Sequence, residues 1–264
     1  MTPVLALSGV SFAYAPGQWA LRHIDLDVKT GTCIALMGAN GAGKSSLLLM
    51  LSGGEPPCAG SLLLDGLPVH QTRDELRRLR RGVGILLQEP DDQLLAPTVE
   101  HDVALGPLQA GASSDEARRL AREALDAMEI THLACRPVHE LSLGEKKRAA
   151  LAGLVAMRPR VLLLDEPAAG LDPRGVKTLL AILERLREDG TAVVQATHDV
   201  NLAYEWADRA YVLSRGSIIA GGDARVVLSD GPMLASAGLD LPLLLREREP
   251  MRRRAEWAES PANR

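Results

Sequence analysis

The stretch GANGAGKSS, residues 38–46, sets Gly38, Gly41 and Gly43 ahead of Lys44, Ser45 and Ser46. Its order fits G-x-x-x-x-G-K-[ST], between an apolar run, CIALM, and a helix-like run, SSLLLMLSG. Glycines let a backbone wrap closely round phosphate, so that successive N–H groups and a helix N-terminus face negative charge. Lys44 then reaches the outer phosphates, and Ser45 offers a hydroxyl to Mg²⁺. A merely flexible glycine turn is a poor reading of that strand-loop-helix context.

The second constellation is VLLLDEP, in which four apolar residues end in Asp165 and Glu166. A carboxylate at the carboxyl end of such a strand sits beside the phosphate loop, where Asp165 can hold Mg²⁺, mainly through water. Glu166, one residue on, is placed to accept a proton from an attacking water, which is general-base work. A third stretch, LSLGEKKR (141–148), opens with Ser and Gly in a manner that could hold another phosphate, followed by a basic run that reads as a solvated helix face.

These residues need elements to position them. Apolar runs at 33–38, 83–88, 161–166, 191–197 and 210–214 alternate with helical stretches, which predicts an α/β fold with a mostly parallel sheet. Strands apolar throughout, as VLLLDE is, suit a sheet covered on both faces. Near the N-terminus VLALSGVSFAY, IDLDVK and SLLLDG show period-2 patterns that predict a small antiparallel β layer. From about 90 to 158 the pattern turns helical, in TVEHDVALGPL, SSDEARRLAREALDAMEI and SLGEKKRAALAGLVAM, with Ser113 and Glu116 spaced as a capping box. A Leu-rich extension follows Gly222 and ends in MRRRAEWAESPANR, where Arg252–Arg254 either contact lipid headgroups or belong to a solvated tail.

Composition narrows the partners. The formal charge is −4, from 30 Lys and Arg against 34 Asp and Glu, so no basic balance points to nucleic acid. The N-terminus lacks a basic region followed by a long apolar core, and no apolar run approaches the roughly 20 residues that span a bilayer. The expectation is a soluble chain. Cys33, Cys58 and Cys135 are too few and too scattered for a disulfide framework or zinc site and read as reduced, small apolar residues.

GANGAGKSS, LLQEPDDQ, LSLGEKKR, VLLLDEPAAGLD and ATHD, in that order, resemble the ATPase subunits of ABC transporters, over roughly residues 4–222. Within that family the chain looks most similar to ATPases of cobalt/nickel importers of the energy-coupling-factor group, through residues 86–108 and 156–175. The resemblance implies a P-loop NTPase (RecA-like) α/β core with an antiparallel β subdomain and an inserted α-helical subdomain. Its boundaries would be 1–222 for the ATPase domain, with the helical part at about 90–158 between 1–89 and 159–222, and 223–264 for the extension.

The same resemblance assigns roles. Glu166, His198 and Gln88 would be catalytic, His198 as the switch histidine and Gln88 as the Q-loop residue. Asn40 and Ala42 would join Gly38, Gly41, Gly43, Lys44, Ser45 and Ser46 in binding ATP, with Ser45, Gln88 and Asp165 on its Mg²⁺. Tyr14 would stack on adenine; the alternative is that Val10, Phe12 and Tyr14, which share a strand face, are simply core. Ser142, Gly144, Glu145 and Asp172 would meet the ATP of a second subunit. The implied assembly is a homodimer with two composite sites, peripheral on the cytoplasmic face of the membrane. It would be joined to a membrane scaffold subunit and a substrate-binding membrane subunit, with residues 90–106 lining the groove for the scaffold, although the apolar residues of LLAPTVEHDVALGPL could equally be the helical part's own core. A vitamin-importing relative, a soluble non-transport ABC ATPase, or another P-loop enzyme are the competing readings. The last lacks support, because a guanine-specific N-K-x-D is absent and neither a GTPase nor a kinase explains LSLGEKKR ahead of VLLLDEP. The family's usual LSGGQ is altered here: Leu143 stands at the first Gly and Glu145 at the Gln, which predicts crowding and added negative charge near the phosphates.

Overall fold

The computed structural model describes residues 2–246, so the basic run at 252–254 lies outside the described residues. The chain opens with β1 (Leu5–Ala15) and β2 (Gln18–Val28), then β3 (Cys33–Met37) leading into α1 (Lys44–Leu51). Next come β4 (Ala59–Leu64), β5 (Leu67–Pro68), α2 (Arg73–Gly82) and β6 (Val83–Leu86). Three helices follow, α3 (Val99–Gln109), α4 (Ser114–Ala127) and α5 (Leu143–Val155). The order resumes as β7 (Val161–Asp165), α6 (Pro173–Glu188), β8 (Ala192–Thr197), α7 (Val200–Trp206), β9 (Arg209–Ser214) and β10 (Ser217–Asp223). Last are α8 (Ala224–Val227), α9 (Gly231–Ser236) and α10 (Leu243–Arg246).

Two sheets result. One has the order β10-β9-β3-β8-β7-β6, in which all pairings are parallel except the β9–β10 hairpin. The other, β2-β1-β4-β5, is antiparallel, as the period-2 patterns predict. Alternation along β7 shows why its strand is apolar throughout: Val161 and Leu163 enter a core shared with α1 and the antiparallel sheet. Leu162 and Leu164 enter a different core, shared with α3, α4, α5 and α6. Both faces are therefore covered, and period-2 side chains have no solvent side to mark.

The residues after Gly222 are not a loose appendage within the described part. Ala224, Leu228, Leu234 and Ala237 are buried against Met37, Val200, Ala203 and Val212, under β3, α7 and β9. Three local expectations need correction. The strand expected at 83–88 ends at Leu86, because the Leu87 N–H donates to Gln93 Oε1 at 2.8 Å while Gln93 Nε2 donates to the Ile85 carbonyl at 2.8 Å. That side-chain amide stands in for a neighbouring strand, and the main chain turns away. Ser113 accepts from the Glu116 N–H at 3.3 Å, but the Glu116 carboxylate binds Arg119 instead of returning to Ser113, so only half of the capping box forms. Cys33 is buried, with its thiol pushed up to about 12 chiefly by that burial. Cys58 and Cys135 are exposed, unlike small apolar core residues.

Candidate functional site

β3 ends at the loop 38–43, and α1 begins on its far side. Gly43 is the helix N-cap at φ 108°, where a Cβ would come within 2.8 Å of the Ala20 carbonyl, so only glycine fits without moving backbone. No side chain caps α1, which leaves its first N–H groups free to face an anion. Ala42 is buried, and its carbonyl accepts from the Gly216 N–H at 3.0 Å, which anchors the loop to the turn between β9 and β10. Asn40 and Gly41 are exposed in the loop's crest. Lys44 is 7% exposed and folds back so that Nζ donates to the carbonyls of Gly38 at 2.8 Å and Ala39 at 3.3 Å. Burial holds its pKa below the usual lysine range, opposed by the negative charge of Glu166 and Asp165.

Those two carboxylates end β7 beside α1. Asp165 is buried and its pKa is raised, first by that burial and also by Glu166, while the Ser45 hydroxyl and the Lys44 ammonium work the other way. Glu166 has φ +44°, a left-handed conformation that non-glycine residues seldom take. Its N–H donates to the Ala196 carbonyl at 3.0 Å, and Oε1 lies 2.8 Å from His198 Nδ1. His198 occupies the short turn between β8 and α7. Asp199 caps α7 by accepting from the Asn201 and Leu202 N–H groups, which fixes that turn. A carboxylate can only accept, so Nδ1 carries the proton and the imidazole tautomer is set.

A cavity of about 650 Å³ joins Tyr14, Asn40, Gly41, Lys44, Ser45, Ser46, Gln88, Asp165 and Glu166, a volume within the range of small-molecule sites. Tyr14 is not the core residue that the strand pattern allowed it to be. Val10 and Phe12 are buried, whereas Tyr14 is 60% exposed, stands edge-on to Phe12 at 4.8 Å, and shares a 2.9 Å hydrogen bond with the Ser46 hydroxyl. Register shifts between Val10 and Ala15 turn β1 so that Tyr14 leaves the core. Trp19, Arg22 and Arg215 also line this cavity and were not anticipated. They come from β2 and the β9–β10 turn, and nothing in their local sequence signals a ligand.

The remaining site residues lie elsewhere. Ser142, Gly144, Glu145 and Asp172 line a separate cavity of about 370 Å³ with Lys147, Pro167 and Gly170, so one chain does not bring them to its own phosphate loop. Ser142 is the N-cap of α5 in a complete capping box: its hydroxyl accepts from the Glu145 N–H, and the Ser142 N–H donates to Glu145 Oε2 at 2.7 Å. The altered signature is thus a well-formed helix start. Glu145's pKa is lowered first by that backbone hydrogen bond and then by the Ser142 hydroxyl and nearby arginines. Leu143 lies over Gly170 of its own chain, where an added Cβ would approach it to 2.6 Å. Asp172 is the N-cap of α6, with Oδ1 accepting from the Gly175 N–H at 2.6 Å. The basic run is not a solvated face: Lys146 pairs with Asp91 at 2.6 Å, and Lys147 is 4% exposed.

With this geometry in view, comparison with known proteins is decisive. The ABC transporter family model matches residues 21–169. A cobalt import ATP-binding protein, CbiO, of Rhodobacter capsulatus is 49% identical over 245 residues, spanning 93% of this chain and 88% of that protein. The chain belongs to the ABC transporter family.

Solved structures agree. CbiO1 of Clostridium perfringens, part of the transporter complex CbiONQ, superposes with a TM-score of 0.81 at 34% identity, covering 94% of this chain and 100% of that one. A dimeric ATP-binding cassette in a post-hydrolysis state with ADP and phosphate gives 0.75 at 30% identity, over 84% and 99% of the two chains. This ABC protein therefore has the P-loop NTPase fold and is an ATPase, the ATP-hydrolysing subunit of a transporter. Among its described residues no helix is long and apolar enough to cross a membrane.

Proposed function

We propose that this ABC ATPase works as a homodimer in which Mg-ATP drives closure over two composite sites. The observation that carries this reading is the division of one chain's motifs between two cavities. The phosphate loop, Asp165 and Glu166 line one, and the N-terminus of α5 with Asp172 lines the other. A phosphate loop covers one side of ATP, and the helix N-terminus of a second copy can close the other.

In that arrangement Lys44 and the loop N–H groups hold the β- and γ-phosphates, and Tyr14 stacks on adenine. Glu166 takes a proton from the attacking water, and its bond to His198 keeps the imidazole facing the γ-phosphate. The donor set at Ser45, Gln88 and Asp165 fits Mg²⁺. One buried carboxylate beside a hydroxyl, with no cluster of three His, Cys, Asp or Glu among the described residues, suits an ion that keeps most of its waters and phosphate oxygens. When bound, Mg²⁺ supplies neutralisation of charge on the phosphates.

The domain boundaries follow the same reading, with residues 90–158 as the helical insert and 223–264 as the extension. Residues 90–106 would receive a membrane scaffold subunit on the cytoplasmic face, and the cargo would be a transition metal ion, cobalt or nickel. Similarity to the Rhodobacter CbiO supports the metal.

Glu166→Gln tests the core of the proposal. Light scattering should show a dimer that forms with ATP and persists, with turnover down by roughly 10²–10⁴-fold. A variant that stays monomeric with ATP and hydrolyses normally overturns it. Uptake of radiolabelled cobalt, nickel or a vitamin by cells carrying the chain with its membrane partners decides the cargo.

A further inference from the structure

We propose that Lys147 is a positioning residue that holds the main chain of Glu166 in place and ties it to the signature end of α5. Lys147 is a buried ammonium that phosphate chemistry does not use. Its Nζ donates to three main-chain carbonyls, those of Glu166 at 3.2 Å, Pro167 at 3.1 Å and Ala169 at 2.6 Å. Three donors meet three acceptors, so the cation is fully satisfied without any side-chain partner. Burial of such a group persists only where its surroundings fix it, and here they are the turn that follows β7.

That turn carries the strain. Glu166 sits at φ +44°, which the surroundings must over-determine for it to persist. Its N–H is held by the Ala196 carbonyl, its carboxylate by His198, and its own carbonyl by Lys147. Removing the third tether leaves two carbonyls of the turn, at Pro167 and Ala169, with a lost donor as well. The main chain that carries the carboxylate would then be free to shift, and the carboxylate with it.

Lys147 stands five residues after Ser142, within the first turn and a half of α5, which begins at Leu143. A displacement of that helix start therefore moves the tether on Glu166. This link rests on the proposed reading of the helix start as a half-site for the partner's ATP. Through Lys147, engagement of one subunit's ATP would set the geometry of Glu166 at the other site.

The test uses the full chain with Lys147→Met, which keeps length and removes the donors, and Lys147→Gln, which keeps two. Steady-state ATPase is measured against Mg-ATP, with thermal unfolding alongside. The expected result for Met is a kcat lower by about 10²-fold, the usual cost of misplacing a reacting group by an ångström, with KM changed less than about threefold. Gln should recover part of that loss. A kcat within about twofold of wild type, or a loss that appears equally in nucleotide affinity, overturns the proposal. If the Met variant does not fold, Gln carries the same criterion: lower kcat at unchanged KM supports positioning, and unchanged kcat overturns it. ATP-driven dimerisation of Glu166→Gln reads the half-site alone. Its failure would remove the link to the partner and leave the tether on Glu166 standing or falling by kcat.

Discussion

Glu145→Gln should act in opposite directions on the free chain and on the closed dimer. The amide keeps the shape of the capping box, since its oxygen still accepts from the Ser142 N–H. Charge is what goes. The carboxylate accepts at 2.7 Å from the Ser142 N–H and 2.8 Å from its hydroxyl, with Arg136 3.6 Å from the other oxygen. Charge-assisted hydrogen bonds are about twice as strong as neutral ones, and an anion at a helix N-terminus contributes about 0.3–1 kcal/mol. Arg136 is 43% exposed, so its ion pair adds little. The free chain should lose about 1–1.5 kcal/mol, or roughly 3–5 °C in Tm for a protein of this size.

The pH dependence has a definite sign. A carboxyl whose folded pKa is depressed contributes stability above its unfolded value, near 4.3 for Glu, and loses it as pH falls through the folded value. The Tm gap between the two proteins should therefore close in acid, below about pH 4. In the closed dimer proposed above the same charge would face the partner's phosphates. Two like charges roughly 8 Å apart at an effective dielectric of about 40 repel by about 1 kcal/mol, or about fivefold in closure. Calorimetry of the variant, with light scattering against ATP in a Glu166→Gln background, reads both effects. An unchanged Tm refutes the capping contribution, and a higher ATP requirement refutes the repulsion.

Tyr14→Ala should weaken ATP binding about fivefold to tenfold with little change in Tm, because the ring is mostly exposed and its expected contribution is a stack worth about 1 kcal/mol. Tyr14→Phe should bind nearly normally despite losing the Ser46 hydrogen bond, and equal losses in both variants would remove the stacking role. Asp102→Ala should cost about 2–3 kcal/mol, since one buried oxygen accepts from the N–H groups of Leu95 and Ala96 at 2.7 and 2.8 Å and both would be left unmatched. Thermal unfolding checks the cost, with faster amide exchange at Leu95 and Ala96 alongside, and an unchanged Tm with unchanged protection would refute the role of the carboxylate.

Much of this was legible because the phosphate loop and VLLLDEP combine local sequence with an element boundary. Gly43 can be read as obligatory from spacing alone, and its 2.8 Å approach to Ala20 supplies the physical reason. Strand β7 was legible as doubly covered because its residues serve two cores. Helix α2, RDELRRLRRG, was not anticipated: Leu76 and Leu79 are its only apolar residues, and one pair three apart samples the helical period only once. Trp19 and Arg215 reach the cavity through sheet packing between distant strands, which no local pattern encodes. Gln93 lies where the pattern turns helical and carries no signal of its own, yet it completes the edge of β6 with a side-chain amide, a role set by how the chain folds back.

The basic run shows most clearly where local reading fails. Lys146, Lys147 and Arg148 have the composition of a solvated face, but the solvent they would need is replaced by two other segments. Lys146 meets Asp91 of the loop proposed as the groove, an ion pair with one partner 65% exposed and therefore worth at most about 1 kcal/mol. Such a pair orients the helix more than it stabilises it. Lys147 turns inward because residues 166–169 present three carbonyls within reach of its ammonium on α5. Ser142 and Glu145, on the same first turns, form the capping box at the end proposed to meet a second subunit. One helix start thus touches the proposed groove, the proposed half-site and the main chain of Glu166, the proposed general base. A rigid helix that contacts all three can transmit a shift at any one of them to the other two, which is the mechanical requirement for coupling hydrolysis to transport.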